Sequence, residues 1–291
     1  MLYLILCIVF NSILGVIFKM FARYDIDQLQ AIVINYIVCV LTATVVIGDW
    51  PIPADVTSQP WFLHALILGA LFVTIFYMIA KTVEHFGIVV NSIFQKMSLI
   101  APALIAIFIY HESSGWMKWT GIFAAISSVI LLSYEKPDQS DNKIQQGNWL
   151  WIFPALTFLG SCLIDSGLYY VEKTGLVANS DIGFTASLFL SASVSGLIML
   201  GYAIVNGKTH LQWKNIVAGI ILGVPNFFAI YLLILVLKQG WGGSIVFPVN
   251  NVGILVLTAL FGILVFKEKI TPFKIAGFVL SVFSIFLITF K

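Results

Sequence analysis

Charge is what this chain has least of. Only 10% of its 291 residues are Asp, Glu, Lys or Arg, where a soluble domain carries about a quarter. Fifteen bases and thirteen acids cannot hold a chain that is 60% hydrophobic in water. A soluble enzyme and a disordered chain are excluded on that ground. The net charge of +2 offers no basic surface for a polyanion, so no nucleic-acid partner is expected. Cysteine is scarce too. Cys7, Cys39 and Cys162 form no C-x-x-C pair, lie inside apolar runs and read as packing residues rather than a disulfide framework. His64, His85, His111 and His210 lack metal-ligand spacing, so no metal and no other cofactor is expected. There is no P-loop, which removes ATP as a direct energy source. There is no G-x-S-x-G elbow and no filter-like loop or ring of charges. The N-terminal apolar run lacks a basic start and a small-residue cleavage site, so it reads as a retained helix.

What is abundant is apolar sequence in blocks of membrane-spanning length. Mean hydropathy is +1.02. Ten blocks run over 2–22, 29–48, 61–81, 87–110, 116–134, 149–171, 182–205, 215–238, 243–266 and 272–290. Each is near the ~20 residues that cross about 30 Å of hydrocarbon. The fold class is therefore an all-α integral membrane protein with ten transmembrane helices. Trp50, Trp61, Trp116, Trp119, Trp149, Trp151, Trp213 and Trp241 all fall near block ends, as an interfacial aromatic belt requires. The loops are short, and the lipid bilayer is the obligatory partner. Counting Lys and Arg gives nine in the loops after odd blocks and four elsewhere outside the blocks. That bias puts the odd loops in the cytoplasm and both termini outside.

The chain also repeats itself. At an offset of 156, His111-Glu112 falls on Lys267-Glu268, Lys118 on Lys274 and Gly121 on Gly277. Earlier, at 154, the segment 66–69 falls on 220–223 and Tyr77 on Tyr231; Leu14-Gly15 matches Leu159-Gly160. The expected organisation is a first five-helix repeat over 1–134, a polar linker over 135–148 and a second repeat over 149–291. An odd number of spans per repeat forces the two into opposite orientations, the inverted architecture of secondary transporters. Two five-span halves, each with a Glu after its fourth span and a Lys and Gly opening its fifth, resemble the drug/metabolite transporter superfamily, closest to its EamA-like branch. Pro102 belongs to the same signature. The resemblance implies a transporter, not an enzyme, in a bacterial cell inner membrane. It also implies both termini in the cytoplasm, opposite to the charge count. Its substrates range over amino acids, nucleosides, sugars, organic cations and phosphorylated metabolites. Glu112 and Glu268, at span ends, are expected to cap or anchor loops.

Ionisable groups inside a span are costly and mark function by default. Lys96 lies within roughly 3 Å of the midplane by its position in the fourth block. Asp165 lies roughly 7 Å past the centre of the sixth. They read either as a substrate and coupling site or as a helix-bonding ion pair. Lys19, nearer a block end, reads as an interfacial anchor. Around Lys96, Asn91 and Gln95 fall one turn apart, and Asn250 and Asn251 occupy the repeat-equivalent helix just after Pro248. Together these amides would line a polar pocket; alternatively they bond helix to helix. Asn226 follows Pro225 at the centre of the eighth block, and Tyr77 and Tyr231 are repeat-equivalent candidates for substrate contact. The Ser187, Ser191, Ser195, Gly196 stripe and the Gly219–Gly223 pair read as close-packing surfaces.

A fixed ammonium at the midplane attracts a carboxylate or phosphate. The expected function is thus secondary-active transport of a small polar metabolite, amino-acid-like or an organic anion, by alternating access. A coupling proton would act through Asp165 or Lys96, and the protein would be a monomer or homodimer. The competing expectation is a multidrug or organic-cation exporter using Asp165. A membrane scaffold or receptor would not need polar groups in both halves.

Overall fold

The computed structural model describes residues 2–133, 148–177, 181–266 and 271–289. Every regular element among them is helical: α1 (Leu2–Arg23), α2 (Gln28–Ile47), α3 (Phe62–Lys96), α4 (Ile100–Phe108), α5 (Trp116–Ser133), α6 (Ile152–Lys173), α7 (Asp181–Val205), α8 (Trp213–Lys238), α9 (Gly243–Phe266) and α10 (Pro272–Thr289). Among the described residues nine helical segments are long and apolar enough to cross a bilayer, and Ile93–Phe108 is a shorter apolar one. The protein is an all-α, multi-pass membrane protein. The linker 135–148 and Glu268 fall outside the described residues, save Asn148.

The sequence predicts separate third and fourth spans, with a turn between 81 and 87. Helical hydrogen bonding continues from Phe62 to Lys96, yet the two spans remain distinct, one over Phe62–Val83 and a shorter apolar one over Ile93–Phe108. The helix is not a straight rod. Ile75 reaches Gly160 of α6, Thr82 shares a hydroxyl hydrogen bond with Thr157 (3.0 Å), and Phe86 lies against Trp151. Phe94 then meets the same Trp151, and Ser98 reaches Cys162 and Asp165. A straight helix would separate Ile75 from Ser98 by about 34 Å, yet their partners on α6 lie within a turn or so of each other. The chain doubles back between Phe86 and Phe94, in a stretch holding Gly87, and passes α6 twice.

Two compact units share the chain. The first comprises Met1–Thr74 and Gly167–Gly240, the second Ile75–Ser166 and Trp241–Lys291, so each draws on both halves of the sequence.

In the first unit α2 packs against α7 and α8. Two glycines on α8 make its approach to α2 possible. A Cβ at Gly219 would stand 2.5 Å from the Ala31 carbonyl oxygen, and one at Gly223 would stand 2.5 Å from the Val38 side chain. The serine stripe of α7 likewise faces helix: the Ser191 hydroxyl donates to the Leu66 carbonyl (2.9 Å), and Gly196 abuts Val33. One end is sealed by polar bonds. Asp27 caps α2 by accepting the Gln30 N–H (3.2 Å). The buried Gln30 amide in turn donates to the His210 carbonyl (2.8 Å) and accepts from Asn215 (2.9 Å).

In the second unit α5 and α10 lie antiparallel. Gly121 sits against Ile288 and Gly277 against Leu132. Adding 156 to Gly121 and Leu132 gives Gly277 and Ile288, so each of these two pairings is the other under the repeat offset. Ser284 fastens the helices by donating to the Gly121 carbonyl (3.0 Å). Glu112 does what its place at a span end suggests. His111, at a positive φ of 52°, turns the chain, and the Glu112 carboxylate accepts from the N–H groups of Gly243 (2.9 Å) and Ser244 (3.2 Å). It also accepts from the Ser244 hydroxyl, which Lys118 holds from the other side (3.1 Å). The first turn of α9 would otherwise present unsatisfied donors. Lys274, the repeat mate of Lys118, is buried rather than in a loop.

Two outcomes follow from this packing. Gly219→Leu should separate α2 from α8 and leave little folded protein, read as loss of a monodisperse peak in detergent. Glu112→Ala should cost about 1–2 kcal/mol, a typical cap loss, read as a lower melting temperature, with Glu112→Gln falling between.

Candidate functional site

The site is built by a proline. Pro102 has no N–H, so the carbonyl of Ser98, four residues back, loses its α-helical donor. The backbone answers by tightening to a 3₁₀ turn over Met97–Leu99, between the end of α3 at Lys96 and the start of α4 at Ile100. Irregular backbone at membrane depth is tolerated where it serves a buried polar site. Here it presents three polar groups together. Lys96 ends α3; Ser98 carries a buried hydroxyl; and the Ser98 carbonyl lies 4.0 Å from the Cys162 thiol.

Asp165 completes the cluster from α6. It accepts a hydrogen bond at 2.8 Å from the hydroxyl of Ser98, two residues after Lys96. Cys162, one turn before it, also feels that carboxylate. The sequence suggests a depth gap of roughly 10 Å between Lys96 and Asp165 by helix rise. The returning pass of α3 closes it.

The amides of α9 belong to the same unit. That helix touches both α4 and the 97–99 turn, and Glu112, just beyond α4, holds its N-terminus. So α4 and α9 run antiparallel. Asn250 and Asn251 are both buried. Asn251 donates to the Phe247 carbonyl in the turn opened by Pro248 (3.1 Å). Asn91 is buried, one face with Gln95 and Ser98 at i, i+4 and i+7, and its Oδ1 has no hydrogen-bond partner among the described residues. Gln95 is half-buried. Tyr77, 40% exposed, lies under the Lys81 ammonium, 6.0 Å from its ring centre.

Asn226 and Tyr231 belong to the first unit. Asn226 hydrogen-bonds Cys39, whose thiol also reaches the Gly223 carbonyl (3.3 Å), and Tyr231 stacks on Phe227 (5.5 Å). Of the nine candidates, then, Asp165 meets the turn that directly follows Lys96, through the Ser98 hydroxyl. Asn91 and Gln95 lie on the same strip of helix as Ser98, and Asn250 and Asn251 belong to the same unit. Sequence reasoning misses Ser98 and Thr258. Thr258 has a buried hydroxyl without a hydrogen-bond partner among the described residues, but a lone threonine in an apolar run carries no signal. Ser98 carries one: a serine four residues before a proline.

Comparison with known proteins agrees with this architecture. The EamA-like transporter family matches residues 152–290. An uncharacterized protein of Haemophilus influenzae (strain ATCC 51907 / DSM 11121 / KW20 / Rd) is 30% identical over 294 residues, covering 97% of this chain and 96% of its own. A protein of known crystal structure shares the fold, with a TM-score of 0.79 over 99% of this chain and 95% of its own, at 11% identity. The chain belongs to the EamA-like family of membrane transporters, within the drug/metabolite transporter superfamily.

If Lys96 and Asp165 compensate each other, removing one should hurt more than removing both. Asp165→Asn alone is expected to lower the melting temperature further than Lys96→Met with Asp165→Asn. A double variant less stable than either single would refute the pairing.

Proposed function

We propose that this transporter is secondary-active and moves a small polar metabolite, amino-acid-like, by alternating access across a cell inner membrane. The observation that carries the reading is the Asp165 carboxylate bonded to Ser98, two residues after Lys96, in the second unit. A lone ammonium would select anions. An ammonium beside a carboxylate offers a complementary pole to each end of a zwitterion and leaves no net charge to bury without substrate. Asn91 and Gln95, on the same helix face, supply further hydrogen bonds; Asn250, Asn251 and Tyr77 of the second unit, and Asn226 and Tyr231 of the first, remain candidate contacts. An inverted repeat supplies two outward- and inward-facing arrangements of one site. No catalytic role is assigned to any residue. A coupling proton is assigned to Asp165 or Lys96, either of which changes the charge of the pair when it titrates. Monomer and homodimer are both compatible with the site, which is complete within one chain.

A cation exporter centred on Asp165 is the competing reading, and one experiment separates the two. Purified protein is heated with L-amino acids, organic acids and lipophilic cations in turn, with Lys96→Ala alongside. A ligand that binds the folded state raises the melting temperature by mass action. Amino acids should stabilise the wild type and not Lys96→Ala, and the variant should be folded yet inactive in transport. Stabilisation by lipophilic cations alone, equal in both proteins, would sink the zwitterion reading. Full transport by Lys96→Ala would do the same.

A further inference from the structure

We propose that Ser98 is a positioning residue for the membrane-embedded carboxylate: its hydroxyl, set by the 3₁₀ turn, holds the Asp165 carboxylate in one fixed orientation. The proposal rests on the reading of Lys96 and Asp165 as the transport site.

Three features place this role on Ser98. Its side chain is 1% exposed, so its donor serves Asp165 and not water or lipid. The bond is 2.8 Å, a good length for a hydroxyl on a carboxylate oxygen. Such charge-assisted bonds are about twice as strong as neutral ones. And the hydroxyl is not free to choose another partner. A serine within regular helix commonly bonds back to the carbonyl four residues earlier, as Ser12, Thr82 and Ser193 do in this protein. Ser98 sits in the tightened turn that Pro102 imposes, and its hydroxyl turns outward to α6 instead. Pro102 thus acts at two points: it breaks the helix after Lys96, and it leaves the Ser98 carbonyl to the Cys162 thiol. Lys96, Ser98 and Asp165 are fixed relative to one another by one 3₁₀ turn and one hydrogen bond. The charged and titratable groups found around the Asp165 carboxylate are Lys96 and Cys162.

A carboxylate of fixed direction matters to a zwitterion site more than to a mere ion pair. Without Ser98 the Asp165 carboxylate loses the bond that fixes its direction. It then has less to offer a substrate ammonium. Removing Ser98 should therefore weaken binding while leaving the helices in place.

The test uses the full-length protein in lipid, with aspartate carboxyls isotope-labelled, and needs no substrate. Infrared spectra are recorded for the wild type, Ser98→Ala, Ser98→Thr and Asp165→Asn. The band deleted by Asp165→Asn is that of Asp165. Ser98→Ala should move that band, and Ser98→Thr, which keeps the hydroxyl, should restore it. A band unmoved in Ser98→Ala overturns the proposal. Binding is then titrated with single L-amino acids. Ser98→Ala should weaken the apparent affinity roughly 10-fold, the lower range for a hydrogen bond to a charged group, with Ser98→Thr near wild type and no further loss when Ser98→Ala is added to Asp165→Asn. A moved band with wild-type affinity would make Ser98 a packing residue and overturn its role in binding. An amino-acid panel that binds no form of the protein defeats the zwitterion reading itself, and the infrared band then decides alone whether Ser98 orients Asp165.

Discussion

No water reaches the middle of a bilayer, so each polar group there must find its partner inside the protein. Every informative feature of this molecule is a response to that rule. Helices satisfy their own backbone. Side chains that cannot be satisfied by their own helix reach for a neighbour, and these reaches are what fasten the helices. Thr82 meets Thr157, Ser191 meets the Leu66 carbonyl and Ser284 meets the Gly121 carbonyl. Each bond is small, about 0.6 kcal/mol on average for a polar contact between membrane helices. They direct which helix faces which, while glycines such as Gly219, Gly223, Gly121 and Gly277 let backbones approach closely enough for dispersion to act.

Helix ends pose the same problem in a sharper form, since each leaves four donors or acceptors open. The two compact units solve it with acids. In the first, Asp27 caps its own helix and gathers Gln30, Thr209 and Asn215 into one network. In the second, Glu112 reaches from a loop to the start of another helix. These carboxylates are structural by geometry: each holds backbone N–H groups at a helix start. Asp165 differs. It lies within a span, and its oxygen takes a side-chain donor rather than a helix end. Position and partner together separate a carboxylate that closes the fold from one that serves a site.

Proline marks where the backbone itself becomes available. Pro102 turns a would-be straight helix into a 3₁₀ step that carries Ser98 to Asp165. Pro248 leaves the first turn of α9, held by Glu112, joined to the amides beyond it. Pro225 sits beside Asn226 within α8. In each case an amide, hydroxyl or ammonium lies within a turn or so of the missing N–H, as expected where broken helix is tolerated for its polar value.

Trp61, expected in an interfacial belt, is fully buried, but the membrane class, the helix count to within one and the close-packing glycines can all be read from the chain. They rest on local quantities: hydropathy summed over about 20 residues, and spacing on one helix face. Glu112 as a cap is legible for the same reason, since its place at a span end is local. The costly residues Lys96 and Asp165 are also legible, because a charge in an apolar run stands out wherever it folds. The contact of Asp165 with the turn after Lys96 is not. It depends on the reversal between Phe86 and Phe94, in a stretch with no proline to announce it, and on α6 lying against both passes. Nor can the sequence show that α9 packs on α4 and the 97–99 turn, because repeat equivalence says which positions correspond and not which ones touch. Composition and periodicity determined the solvent, the elements and the expensive residues; tertiary structure alone decided the partners, because a partner is set by register between helices, which no single helix encodes.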